Sequence, residues 1–216
     1  MTVVKRPNRR AEKAQETRRR IIEAARELFV ADGYGATNLQ DVADRAGVAV
    51  QTFYRHFGSK DELVLAVIEE NIADGSRSIS EVTSDIKDPL ERLAAIIRFT
   101  VSGTRDSPGL RFHARERVRL SETYAAEVEA ALSPYRMLLI DAVSQAAAAG
   151  EAAPVDIERD ADIILHLLLS YTHAVASHAV RGDADEIADY VWGFCVGALR
   201  RGATGLSPAS DEHTDA

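Results

Sequence analysis

The sequence predicts an all-α protein in two parts, an N-terminal three-helix head built on a helix-turn-helix followed by a larger helical body. Three observations carry this. Two short helical periods flank Gly47 within Asn38 to Phe57, apolar residues farther along recur at three- and four-residue steps, and charge is divided unevenly along the chain. The first 60 of 216 residues hold twelve Lys/Arg against seven Asp/Glu, a net +5, whereas the remainder carries −13. One end is thus suited to meeting phosphates and the other to staying away from them. The expected divisions are a disordered basic arm over 1–14, the head over 15–75, the body over 83–203 and a flexible tail over 204–216.

In chain order, the arm contains Lys5, Arg6, Arg9, Arg10 and Lys13 with almost nothing apolar to pack, so it is expected to be disordered when free. Its composition leaves open whether it enters a minor groove or is only solvated. Thr17 to Asp32 reads as a helix with Ile21, Ile22, Ala25, Leu28 and Phe29 on its buried side, ended by Gly33 and Gly35. Thr37 and Gln40 have the form of a capping box before a helix that buries Leu39, Val42, Ala43 and Ala46. Gly47 supplies the left-handed residue that ends this helix. From Val50 to His56 the apolar side faces inward through Phe53 and Phe57, leaving Gln51, Thr52, Arg55 and His56 outside. Ser59 and Glu62 form a further capping box, with Lys60 in the first turn of a helix reaching to about Val82 through Leu63, Val64, Val67, Ile68 and Ile72.

At this point Ile21 to Ala66, and above all Thr52-Phe53-Tyr54-Arg55-His56-Phe57-Gly58-Ser59-Lys60-Asp61-Glu62-Leu63, resembles the DNA-binding domain of the tetracycline-repressor (TetR) family of transcriptional regulators. The resemblance covers roughly the first third of the chain. It implies that Tyr54, His56 and Lys60 contact phosphates, for which a phenol, an imidazole and an ammonium are all suitable donors. It also implies that the helix after Ser59 connects the head to a ligand-sensing, dimer-forming body. Val50 stands where many members of that family have a polar residue, which puts the operator sequence in doubt. Gln51 and Thr52, with Gln40, are the candidates for base edges, since glutamine pairs with adenine and threonine touches a thymine methyl. Thr37 and Arg55 complete the expected DNA-binding set.

In the body, Asp88, Pro89 and Glu91 mark a helix start, with the helix running to about Ser102. Gly103 to Gly109 reads as a loop, and the short helix after it carries Arg111, Arg115, Arg117 and Arg119. Those arginines either receive an anionic ligand or form a solvated face paired with Glu116 and Glu122; the second is preferred. Ser121 or Glu122 to Ala149 forms a long helix in which Pro134 implies a kink or break. Ile157 to Val180 is apolar almost all round. Asp183 to Arg201 carries two stripes, Ile187, Val191, Phe194 and Ala198 beside Ala188, Trp192, Cys195 and Leu199. Two stripes imply two neighbours, and Gly193 with Gly197 leaves a strip where a second copy's helix can approach.

A small apolar or amphipathic effector is expected beside Phe99, Phe112, His113, Tyr135, His166 and Tyr171, with ordinary core as the plain alternative. His166 and His173 stand seven apart, nearly two helical turns, which is poor for one metal, so neither a metal nor a cofactor is expected. No glycine-rich phosphate loop, Gly-x-Ser-x-Gly elbow or spaced Cys/His cluster is present, so an enzyme is not expected. The single Cys195 excludes an internal disulfide, and no apolar run suits a membrane span; the expected place is the cytoplasm. Taken with the resemblance, the expectation is a homodimeric, ligand-responsive regulator, a repressor released from a near-palindromic double-stranded DNA operator. The alternative is a helical small-molecule-binding protein or enzyme with no DNA-binding role.

Overall fold

The computed structural model describes residues 9–154, 156–180 and 182–201. Its helices are α1 (Arg9–Ala36), α2 (Leu39–Ala46), α3 (Val50–Tyr54), α4 (Lys60–Thr83), α5 (Pro89–Asp106), α6 (Pro108–Leu120), α7 (Ala125–Ala148), α8 (Ile157–Ala176) and α9 (Ala184–Arg201). Among the described residues there is no strand. The chain divides into two compact units, one of residues 1–74 with 107–132, the other of 75–106 with 133–216. The division differs from the expected one: α6 and the start of α7, expected in the body, belong with the head.

In the first unit α1 packs on α2 and α6, and α2 on α3. Ile21, Ile22, Ala25 and Phe29 of α1, Val42, Ala43 and Ala46 of α2, and Leu63, Val64 and Ile68 of α4 are all buried. Three local details depart from expectation. Residues 9–14 are helical, extending α1 by two turns; Ala11, Lys13 and Ala14 are good helix formers and no proline interrupts them. The arm's first eight residues and the tail from 202 onward lie outside the described residues. The cap of α2 is Asn38, whose side chain accepts from Asp41 N at 2.9 Å. Thr37 is turned inward instead, its hydroxyl donating to Gly33 O at 2.9 Å. At α4 half of the expected box forms: Ser59 accepts from Glu62 N at 3.1 Å, while Glu62 accepts from Gly58 N at 2.8 Å, one residue before the cap.

In the second unit α5 packs on α8 and α9. Asp88 caps α5 as expected, accepting from Glu91 N at 2.9 Å, but α5 continues through Gly103 to Asp106, where a loop is expected. Thr104 helps to hold that extension, its hydroxyl donating to Thr100 O at 2.7 Å. α7 runs through Pro134 without interruption. α8 ends at Ala176, short of Val180, because His178 turns to φ 58. On α9 Ala188, Val191, Cys195 and Leu199 are buried, while Tyr190 and Phe194 are 79% and 63% exposed. Burial of Cys195 pushes its thiol up to about 11. No helix among the described residues is long and apolar enough to cross a membrane.

Candidate nucleic-acid interface

The turn between α2 and α3 rests on one residue type. Gly47 adopts φ 64 and ψ 41, and Val48 N donates to Ala43 O at 2.9 Å, closing the last turn of α2. The Arg20 side chain donates to the carbonyls of Ala46 and Gly47, tying the turn to α1. Ala49 is extended and lets α3 restart at once. α3 is held from below by Phe53 and Phe57, 0% and 3% exposed, with ring centroids 5.7 Å apart. With those rings fixed inward, Gln51, Tyr54 and Arg55 are exposed and Thr52 and His56 half-buried. Tyr54 meets the edge of Phe53 at 5.4 Å, which orients its hydroxyl-bearing ring without covering it.

The expected DNA-binding residues therefore separate. Gln51, Thr52, Tyr54, Arg55 and His56 share one short helix and its end. Gln40 is exposed, although its amide donates to Asp44 at 2.9 Å. Thr37 is 3% exposed and braces the end of α1, so it is removed from the outer face. Lys60 is also engaged elsewhere: its ammonium donates to the carbonyls of Tyr34 and Thr37 and stands 4.0 Å from the centre of the Tyr34 ring. Spacing alone places Lys60 at a helix start, and nothing in the sequence shows that carbonyls released where α1 bends at Gly33 lie within its reach.

Around Lys60 lies a charged group internal to the first unit. Asp61 accepts from Tyr34 Oη at 2.9 Å and from Arg119 at 2.7 Å, and Arg119 also pairs with Glu116 at 2.7 Å. The Arg119 guanidinium lies over the Tyr34 ring at 4.2 Å. The Arg119 and Tyr34 hydrogen bonds hold the Asp61 carboxyl below the usual carboxylate range, against the opposing effect of burial. Burial lowers the Lys60 ammonium from its ordinary value, as it does His56, where Arg55 and Arg18 add repulsion. A neutral His56 donates a hydrogen bond but adds no charge.

A feature that sequence patterning left out lies beside α3. Arg9, Arg10, Lys13, Ala14 and Thr17 of α1 form, with Arg55 and His56, a concavity of about 490 Å³. The only available signal was the i, i+4 spacing of Arg9 and Lys13, masked by the apparent disorder of a proline-bearing basic tract.

The six residues expected to line an effector pocket divide between the two units. Phe112 stacks on Phe29 at 5.3 Å within the first unit. His113, in the same unit, has its Nε2 fully shielded with no hydrogen-bond partner, and burial, with Arg117 nearby, pushes its pKa down to about 4. In the second unit Tyr135 is buried and hydrogen-bonded to Thr100. Phe99 is 44% exposed, His166 is exposed, and Tyr171 is half-buried. A cleft of about 570 Å³ in that unit is lined by Asp88, Glu91, Glu151, Arg98, Trp192 and Arg200 among others, and by none of the six. Choosing aromatic and imidazole residues by type cannot show which helix faces converge.

Residues 21–67 match the model of a family described as bacterial regulatory proteins, tetR family. The chain is 34% identical over 143 residues to the HTH-type transcriptional activator FasR of Mycolicibacterium smegmatis, covering 64% of each chain. It is 42% identical over 80 residues to the HTH-type transcriptional regulator TtgR of Pseudomonas putida, covering 34% of this chain and 38% of that one. The matched segments thus span less than two thirds of those relatives' length. Among solved structures, the transcriptional regulator FadR from Bacillus subtilis in complex with stearoyl-CoA superposes with a TM-score of 0.69 at 19% identity, covering 84% of this chain and 98% of that one. AibR, solved in complex with isovaleryl coenzyme A and operator DNA, does so with a TM-score of 0.57 at 25% identity, covering 82% and 97%.

Proposed function

Because the chain belongs to the tetR family of bacterial regulatory proteins, we propose that it is a ligand-responsive, DNA-binding transcriptional regulator, a homodimer that a small apolar or amphipathic effector releases from a near-palindromic operator. The observation that carries this is the outward face of α3. Gln51, Thr52, Tyr54 and Arg55 stand around a helix whose other side is pinned by Phe53 and Phe57, so a rigid element presents base-reading and phosphate-holding groups together. AibR, solved in complex with isovaleryl coenzyme A and operator DNA, supports a regulator that takes both an amphipathic acyl thioester and DNA. Release requires only that the effector bind the DNA-competent and DNA-free conformations unequally.

The test begins with a duplex selected by the protein from a random pool. Gln51→Ala removes hydrogen bonds to a base edge, so it should weaken binding to the selected duplex by about 1–3 kcal/mol and leave a scrambled duplex almost unaffected. Equal losses on both would remove Gln51 from the base-reading face. In a thermal-shift screen of small metabolites, an effector at about 100 times its dissociation constant adds about 2.7 kcal/mol of stability. The same compound should dissociate the selected duplex; stabilisation without dissociation, across the hits, would argue against a ligand-released regulator.

A further inference from the structure

The start of α1 carries a cationic arc. Arg9, Arg10, Lys13, Ala14 and Thr17 share one side of the helix, as their spacing of one, four, five and eight residues from Arg9 requires. Glu12 and Glu16 border this arc, three residues after Arg9 and Lys13, and Glu16 is drawn off to Arg19 at 2.9 Å. The cationic side is completed from a separate element: Arg55 and His56 at the end of α3 close the concavity. Its lining comprises four guanidinium or ammonium groups, an imidazole, a threonine and an alanine, with no carboxylate. Like charges gathered in this way repel one another, and in a chain of net charge −8 the gathering is not a by-product of overall basicity.

We propose that this concavity seats backbone phosphates of duplex DNA beside the groove that α3 enters, so that the first two turns of α1 act as a preformed phosphate clamp. The proposal rests on the DNA-binding function above and extends it to Arg9, Arg10 and Lys13. Duplex DNA is favoured over a free anion for two reasons. The cavity is far larger than one phosphate group, and two of its lining residues follow Gln51 and Thr52 just past the end of the same short helix, so whatever α3 reads brings its backbone to this site. Because α1 also carries Ile21, Ile22 and Phe29 of the core, the clamp is fixed to the head and adds affinity without the ordering penalty of a loose arm.

The experiment compares the parent with an Arg9→Ala, Lys13→Ala double variant and with the charge-conserving Arg9→Lys, Lys13→Arg pair, each checked for unchanged helicity. An Arg9→Gln, Lys13→Gln pair replaces the alanine pair if helicity falls. Affinity for the selected duplex and for a scrambled one is titrated at several salt concentrations. The charge-removing variant should lose affinity alike on both, and its slope of log affinity against log salt should shrink by about 0.9 for each cation removed, about 1.8 per protomer. The charge-conserving pair should keep the parent slope. A parent that binds duplex while the charge-removing variant retains the full slope would overturn the clamp and leave the regulator intact. A parent that binds no duplex would sink both. Stabilisation of the parent by inorganic phosphate, lost in the charge-removing variant while the DNA slope stays unchanged, would reassign the concavity to a free anion and overturn the proposal.

Discussion

At the scale of single residues, Lys60 shows how a side chain can keep its predicted position and change its role. Its place after Ser59 is legible in the sequence, and by resemblance it becomes a phosphate contact. In the folded head its ammonium bonds the carbonyls of Tyr34 and Thr37 beneath the Tyr34 ring. Lys60→Met should therefore lower stability, by about 1–3 kcal/mol for part-buried carbonyls left without a donor, while the salt dependence of DNA binding stays that of the parent. A slope reduced by about 1 per protomer in denaturant-stable protein would return Lys60 to the phosphate surface. Asp61 next to it makes a different prediction. Its folded pKa lies below its unfolded one, so it adds stability above the ordinary carboxylate value of 3.8, and that contribution disappears as pH falls through the lower folded value. In thermal melts Asp61→Asn should be less stable than the parent at neutral pH, and the gap should close as acid protonates the parent's carboxylate. A gap that stayed constant with pH would mean that the Arg119 and Tyr34 contacts do not depend on its charge.

Among elements, the α2–turn–α3 pair was the most legible because its signals are local. The steps of Val42, Ala43 and Ala46, the glycine, and the paired Phe53 and Phe57 each fix one dihedral or one buried face. Gly47→Ala tests this directly. A side chain at φ 64 costs about 1–2 kcal/mol by itself, and a Cβ there would stand 2.8 Å from Arg20 Nη2, displacing the group that ties the turn to α1. The variant should lose at least that much stability by chemical denaturation and should lose selected-duplex binding while still folded; full binding would show that the turn tolerates a different backbone. Element ends were harder to read. α2 is capped by Asn38 in preference to Thr37, and α5 passes its glycine, because in each case several polar groups compete for the same backbone atoms and tertiary contacts choose. The effector-lining residues rest on residue type alone, since type and period define a helix face but not which faces meet.

For the whole molecule, the exposed stripe of α9 is the feature that pairing would resolve. Tyr190 and Phe194 are largely exposed, and a Cβ at Gly193 between them would meet nothing within 4 Å. Large aromatics on a smooth strip are what a second copy's helix would cover. Phe194→Arg should convert a sedimenting dimer to a monomer at micromolar concentration with helicity unchanged, and a parent that sediments as a monomer in the presence of its operator would remove the palindromic operator too. On the inner side of the same helix, Cys195 is 4% exposed, with its thiol raised to about 11. Little thiolate exists there at neutral pH, and a maleimide cannot reach it while α9 is seated. A reporter cysteine placed at the exposed Asp85, away from this stripe, would thus take a fluorophore alone, with the native thiol left in place. The slow labelling of Cys195 itself would then serve as a clock for how often α9 lifts from its packing, a count that effector or operator should lengthen if either tightens this part of the fold.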